Sequence, residues 1–379
     1  MKIFQLLFLP LFCLVSQSLV AAVKPIPQAP ELAADSYILM DFASGKVLAE
    51  KDPDKRVEPA SITKLMTAYL VDKALDAGDI SMTDQVTISE KAWRMKGSKM
   101  FIEVGKQVSV EELIKGMIIQ SGNDATVALA EHIAGSEQAF AEYMNHQANL
   151  LGMKNSHFAN STGWPNEEHY STARDIALLS QALIRDYPQT YRYYKEKEYT
   201  YNDIRQFNRN RLLWRDESVD GLKTGHTEAA GYCLASSAVR DDMRLISVVL
   251  GTDSDKARTQ NSQTLLNYGF RFFETQKLYS ADEVLKQARV WYGDQEQLSL
   301  GVEHDVYVTI ARGQYKKLDA SVEIDQRISA PVAMGQELGL LKVKLGDETI
   351  VSQPLVAMQA INDGGLVQKA IDSIKLLFE

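Results

Sequence analysis

Helix-like and strand-like patterns occur in blocks along this chain rather than in strict alternation. Residues 79–185 carry mostly helical spacing, strand-like runs crowd into 219–250, and past about residue 276 only strand-like runs remain. Strict strand–helix alternation builds parallel sheets. Blocks point instead to an α+β chain whose strands pair as antiparallel hairpins. At 379 residues the chain is also long enough for two domains.

The individual elements follow from local pattern. Residues 36–40 and 46–49 read as strands joined by a turn that contains Gly45. Pro59 opens a helix, with Ile62, Leu65, Met66, Tyr69 and Leu70 at helical spacing and Gly78 as its stop. Helices are expected over 110–119, 124–134 and 139–151, and over 174–185 after Ser171-Thr172. Strands are expected over 219–224, 232–239 and 244–250, followed by a helix over 258–273. Short strands over 306–310, 320–324, 338–345 and 349–351 suggest a small β-sandwich. The division is therefore 23–276 for the first domain, 277–363 for the β-sandwich and 364–379 for a terminal helix.

That last helix is amphipathic. Val367, Ala370, Ile371, Ile374, Leu377 and Phe378 share one face, and Gln368, Lys369, Asp372, Ser373 and Lys375 share the other. It either lies in a membrane interface or docks on its own domain, and the sequence leaves both open. At the other end, Lys2 precedes an apolar run from Ile3 to Val15, and Val20-Ala21-Ala22 supplies small residues. The run is short for a membrane span, so residues 1–22 are expected to be a signal peptide cut near Ala22. Cys13 leaves with it, and Cys233 remains alone. With no internal disulfide available, the core must hold the fold. Cys233 lies in the run Gly-Tyr-Cys-Leu-Ala and reads as a packed thiol.

Net charge is −9 and no dense Lys/Arg cluster is present, so a nucleic-acid partner gains no electrostatic support. None of the six histidines falls in a metal-binding pattern, and no phosphate loop is present. No metal or cofactor is expected.

Three short motifs carry the chemistry. Ser61-Ile62-Thr63-Lys64 places a hydroxyl and an amine three residues apart, on one face of a helix start. Lys64 can activate Ser61 only if it is neutral, which needs burial or a nearby cation, and Lys223 is a candidate for that cation. Ser121-Gly122-Asn123 sits in a break between two helices. Ser121 can pass a proton, and Asn123 can bind a substrate amide through both its donor and its acceptor. Lys223-Thr224-Gly225 ends a strand. Lys223 and Thr224 can hold a carboxylate, and Gly225 can let a peptide add along the strand edge. Each motif alone is common, but the three in series are specific.

S-x-x-K, then S-x-N, then K-T-G resembles the serine penicillin-binding protein and β-lactamase signature. The stretches 61–67, 120–124, 171–175, 208–210, 220–227 and 269–275 are similar to low-molecular-mass D-alanyl-D-alanine carboxypeptidases of the penicillin-binding protein 5 and 6 type, over almost the whole chain. The resemblance implies a β-lactamase/transpeptidase-like domain, an antiparallel sheet flanked by helices with an all-helical subdomain, followed by the sandwich and the terminal helix. It implies that Ser61 is acylated by stem peptides of peptidoglycan ending in D-Ala-D-Ala, with Lys64 as base and Ser121 as proton relay. Asn123 would bind the substrate amide, Lys223 and Thr224 the terminal carboxylate, and the N–H groups of Ser61 and His226 the oxyanion. Arg209 and Arg258 match basic positions near the K-T-G strand that orient the carboxylate. β-Lactam antibiotics would acylate Ser61 and leave slowly. Asp175 would order the loop 163–172, and the segment 93–104 matches a loop beside the site. The implied location is the periplasm, at the outer face of the inner membrane, held by the terminal helix.

Rival readings use the same residues. A β-lactamase would need Glu167 or Glu168 to position water, but His169-Tyr170-Ser171 does not continue that pattern. An endopeptidase would share all three motifs. A non-catalytic peptidoglycan-binding scaffold would have no need to keep them intact.

Overall fold

A computed structural model describes residues 26–281, 283–324 and 327–378. The expected signal peptide and Cys13 lie outside the described residues.

The first domain is built on a five-stranded antiparallel sheet. Its strands are β1 (Ser36–Asp41), β2 (Val47–Lys51), β3 (Val219–Thr227), β4 (Gly231–Arg240) and β5 (Met243–Thr252), in the order β2-β1-β5-β4-β3. Alternation explains why β1 is buried along its whole length. Ile38 and Met40 join one core cluster, and Tyr37 and Leu39 join another on the opposite face. The helices α1 (Lys64–Ala77), α2 (Asn123–Ala134), α3 (Glu137–Leu150) and α4 (Ala173–Asp186) contribute to the first cluster, and α5 (Asp255–Phe272) covers the second face through Leu265, Leu266 and Phe270. Cys233 is a buried free thiol on β4, and burial pushes its pKa up to about 11.

Helix boundaries follow their caps. Gly78 ends α1 in the left-handed conformation at φ 75°. Thr172 accepts from Asp175 N–H at 3.1 Å and starts α4, a cap worth about 1 kcal/mol. The region 79–185 is less helical than its spacing predicts. Gln85–Thr87 pairs with Gln107–Ser109, and the segment between α3 and α4 is largely irregular. The hairpin Glu198–Tyr201 with Ile204–Phe207 also went unread, because its strands are too short to show a period.

The second domain packs two sheets. Phe273–Tyr279 pairs with Val306–Ala311, immediately after α5 ends. Six strands form the other sheet, with Glu337–Leu345 and Glu348–Ala357 near its middle. Four of the strands, Phe273–Tyr279, Lys286–Trp291, Gln297–Gly301 and Ile328–Ser329, lie where no strand was expected. The β1–β2 turn ties the two domains together. Buried Asp41 accepts from Ser44 and, at 2.6 Å, from Thr275 Oγ1, while Lys46 Nζ donates to the Thr309 carbonyl at 3.0 Å.

The terminal helix α6 (Leu366–Lys375) docks on this domain by its polar side. Asp372 is 1 % exposed and accepts from Tyr292 N–H at 2.8 Å, with Arg289 at 3.6 Å. Lys375 pairs with Glu296 and Lys369 with Asp363. Leu366, Val367, Leu377 and Phe378 are each at least 75 % exposed. Among the described residues no helix is long and apolar enough to cross a membrane.

Candidate active site

Ser61 does not lie in an α-helical turn. Ala60–Thr63 is a 3-10 turn, and α1 begins at Lys64. Residues i and i+3 eclipse in such a turn, which stacks Lys64 directly on Ser61. Lys64 Nζ lies 2.9 Å from Ser61 Oγ, 2.7 Å from Asn123 Oδ1 and 2.8 Å from the Thr162 carbonyl. Burial lowers its pKa to about 7, against the opposing pull of Asp124 and Glu137. A neutral lysine keeps two N–H donors and one lone pair. Asn123 Oδ1 and the Thr162 carbonyl can only accept, so in the neutral form they take the two donors and the lone pair faces the Ser61 hydroxyl.

Ser121 follows a π-helical turn, Gly116–Gln120, and is held at φ 65° in the left-handed region. That turn delivers Asn123 to the first residue of α2. Its Nδ2 donates to the Lys96 carbonyl at 2.7 Å, and its Oδ1 faces Lys64. The next residue, Asp124, was not picked out for a role by sequence reasoning. Buried completely, it accepts from the N–H groups of Met100, Phe101 and Ile102 at 2.9, 2.9 and 3.3 Å. It thereby fastens the loop 93–104 beside the site. Its adjacency to Asn123 was the only available signal.

Lys223 and Thr224 are buried on β3, the edge strand of the sheet. Burial drives the Lys223 pKa well down, helped by Lys64, Arg258 and Arg209. Burial is likewise the first cause of the lowered Lys64 pKa, and Lys223 is not among its causes. Gly225 meets the serine turn at close range, since a Cβ there would sit 2.8 Å from the Pro59 carbonyl and 3.1 Å from Ile62 Cγ1. The glycine makes room for the Ser61 turn against the strand, which spacing alone did not reveal.

His226 is exposed and stacks on Tyr232 with ring centroids 4.0 Å apart. A cavity of about 600 Å³ opens here, lined by His226, Tyr232, Arg209, Arg211 and Arg258. Burial and the neighbouring charges of Arg211 and Arg258 lower the Arg209 pKa. Arg258 is buried and already engaged. Its Nη1 donates to the carbonyls of Gly225 at 2.9 Å and Cys233 at 3.3 Å, and its Nε reaches Asp255 at 3.0 Å. Arg209 thus has the freer guanidinium, while Arg258 holds the K-T-G strand.

The loop from α3 to α4 closes the far wall. Thr67 Oγ1 donates to Ser161 O at 2.7 Å, and His169 Nε2 lies 2.8 Å from Thr63 Oγ1. His169 Nδ1 accepts from Ala159 N–H, which leaves the proton on Nε2 for Thr63. Asp175 binds the near end of this loop, Asn155 N–H and Ser156 Oγ, and reaches Ser171 only through Ser156.

Residues 23–254 match the D-alanyl-D-alanine carboxypeptidase family, and residues 273–363 match the penicillin-binding protein 5 C-terminal domain. The chain belongs to the D-alanyl-D-alanine carboxypeptidase family. Among relatives, this carboxypeptidase-family chain is 48 % identical over 361 residues to D-alanyl-D-alanine carboxypeptidase DacA of Escherichia coli K12, covering 93 % of this chain and 90 % of that one. It is 43 % identical to DacA of Haemophilus influenzae, with 92 % and 90 % covered. The structure of penicillin-binding protein 5 from Haemophilus influenzae superposes with a TM-score of 0.86 at 44 % identity, covering 89 % of this chain and all of that one. Penicillin-binding protein D2 of Listeria monocytogenes in its ampicillin-bound form gives a TM-score of 0.60 at 30 % identity, covering 64 % and 100 %.

Proposed function

We propose that Ser61 is the nucleophile of a serine-type D-Ala-D-Ala carboxypeptidase that removes the terminal D-alanine from peptidoglycan stem pentapeptides. The observation that carries this reading is Lys64 Nζ, buried, near neutrality and 2.9 Å from Ser61 Oγ. Lys64 accepts the hydroxyl proton as Oγ attacks the carbonyl of the penultimate D-alanine. The N–H groups of Ser61 and His226 hold the oxyanion. Asn123 binds the substrate amide. Lys223, Thr224 and Arg209 hold the terminal carboxylate, and Arg258 keeps Gly225 and its strand in place. Ser121 passes the proton from Lys64 to the departing amine, D-alanine leaves, and Lys64 is neutral again. Water then attacks the acyl-enzyme as Lys64 takes its proton and returns it to Ser61 Oγ, which frees the shortened peptide and restores Ser61. Removing the last D-alanine limits cross-linking of the cell wall. A β-lactam acylates Ser61 by the same attack and hydrolyses slowly.

The decisive assay is D-alanine release from a stem pentapeptide by the purified chain beside Ser61→Ala. Release by the parent alone supports the reading, and release by both removes Ser61 from its role. Release by neither would leave an endopeptidase, a β-lactamase or a binding scaffold.

The same proposal places the enzyme in the periplasm after removal of residues 1–22, held peripherally at the inner membrane by α6. Support comes from the helix's orientation, with its polar side engaged by Asp372 and its apolar side outward. The charges on its lysines are matched by Glu296 and Asp363, so apolar insertion supplies most of the binding. Deleting residues 364–379 should release the exported protein from membranes. Full retention would sink the anchor.

A further inference from the structure

We infer that Trp164 is a specificity-determining residue for the carboxypeptidase reaction, packing against the side chain of the stem-peptide residue that precedes the two D-alanines. The inference rests on the carboxypeptidase reading. Trp164 is a large aromatic left 43 % exposed, on a segment fixed by the site itself.

Asn160 builds the segment. Its Oδ1 accepts from the N–H groups of Thr162, Gly163 and Trp164 at 3.1, 2.8 and 3.0 Å, and its Nδ2 donates to the Trp164 carbonyl at 2.9 Å. Thr162 presents its carbonyl to Lys64 at 2.8 Å. Gly163 is pressed so closely on the serine turn that a Cβ would lie 1.8 Å from the Ala60 carbonyl. Trp164 comes next, and its ring lies near Gly97. A Cβ on Gly97 would meet the indole at 3.5 Å and Asn123 Nδ2 at 2.8 Å. The indole therefore stands at the rim of the site, on the side of the amide-binding Asn123.

Trp164 is not part of the cationic cavity lined by His226, Arg209, Arg211 and Arg258. A substrate whose terminal carboxylate enters that cavity and whose scissile carbonyl meets Ser61 leaves its preceding residue for the wall formed by Asn123 and Trp164, which lie together against Gly97. A long aliphatic side chain with a polar end, as in a diamino acid, fits this wall. Its methylenes cover the indole face, and its charged end stays in water.

The test compares two substrates differing only at that residue, Nα-acetyl-L-lysyl-D-Ala-D-Ala and acetyl-glycyl-D-Ala-D-Ala. In the parent, the lysyl substrate should be favoured. Trp164→Ala should lower its kcat/KM about tenfold, mostly through KM, and leave the glycyl substrate nearly unchanged. Trp164→Phe should keep most of the preference. Equal losses on both substrates would mean that Trp164 only holds the loop, and unchanged values on both would mean that it touches neither. Either result overturns the inference while leaving the activity intact. If the parent chain released D-alanine from neither substrate, the carboxypeptidase reading would fall with it.

Discussion

Gly225 packs against Pro59 so closely that a single Cβ would come within 2.8 Å of the Pro59 carbonyl oxygen. The contact joins the K-T-G strand to the turn that carries Ser61, and a backbone oxygen cannot swing aside as a side chain can. Gly225→Ala should displace the serine turn and slow acylation by a fluorescent penicillin at least about tenfold. A variant with unchanged acylation would show that the strand and turn yield without harm.

Lys64 works as a base only when neutral, and its pKa of about 7 sets the window. The acylation rate should rise through about pH 7 and level off above it. Replacing Lys64 by Met should lower acylation by about 10²–10⁴-fold. A flat pH profile for acylation in the parent would remove Lys64 from the base role.

Asp124 gathers three backbone N–H groups of the 93–104 loop at one buried carboxylate. Asp124→Ala leaves those donors without an acceptor, at a cost of about 3 kcal/mol or more. Thermal unfolding should show a clear fall in Tm, with weaker acylation because Asn123 shares the strained segment.

His169 has its pKa lowered from 6.5 to about 4, first by burial and then by His157 and Lys64. The unfolded chain therefore binds more protons than the folded one between those values. The stabilisation is complete above about pH 6.5, declines as pH falls towards about 4 and is gone below it. His169→Gln should flatten the slope of Tm against pH within that window. An unchanged slope would assign the acid sensitivity elsewhere.

Asp372 holds α6 through Tyr292 N–H. Asp372→Ala should free the helix from the second domain without removing its apolar face. Binding to phospholipid vesicles should persist, while limited proteolysis should cut the chain's last residues faster. Loss of vesicle binding would mean that docking, rather than apolarity, makes the membrane contact.

The sequence by itself determined the chemistry and the class of fold. Ser61, Lys64, Ser121, Asn123, Lys223 and Thr224 were legible because their motifs are local, and local spacing survives folding. The strands 36–41 and 243–252 were legible because runs of apolar residues must be buried on both faces. Tertiary structure alone decided how those pieces act together. The Lys64 pKa falls because residues from distant segments, Asn123 and Thr162 among them, close over it, and burial is a sum over neighbours that no window of sequence contains. Asp124, His169 and Asp372 are ordinary polar residues in sequence. Each gained its role when folding removed water and left a backbone group or a hydroxyl for it to bind.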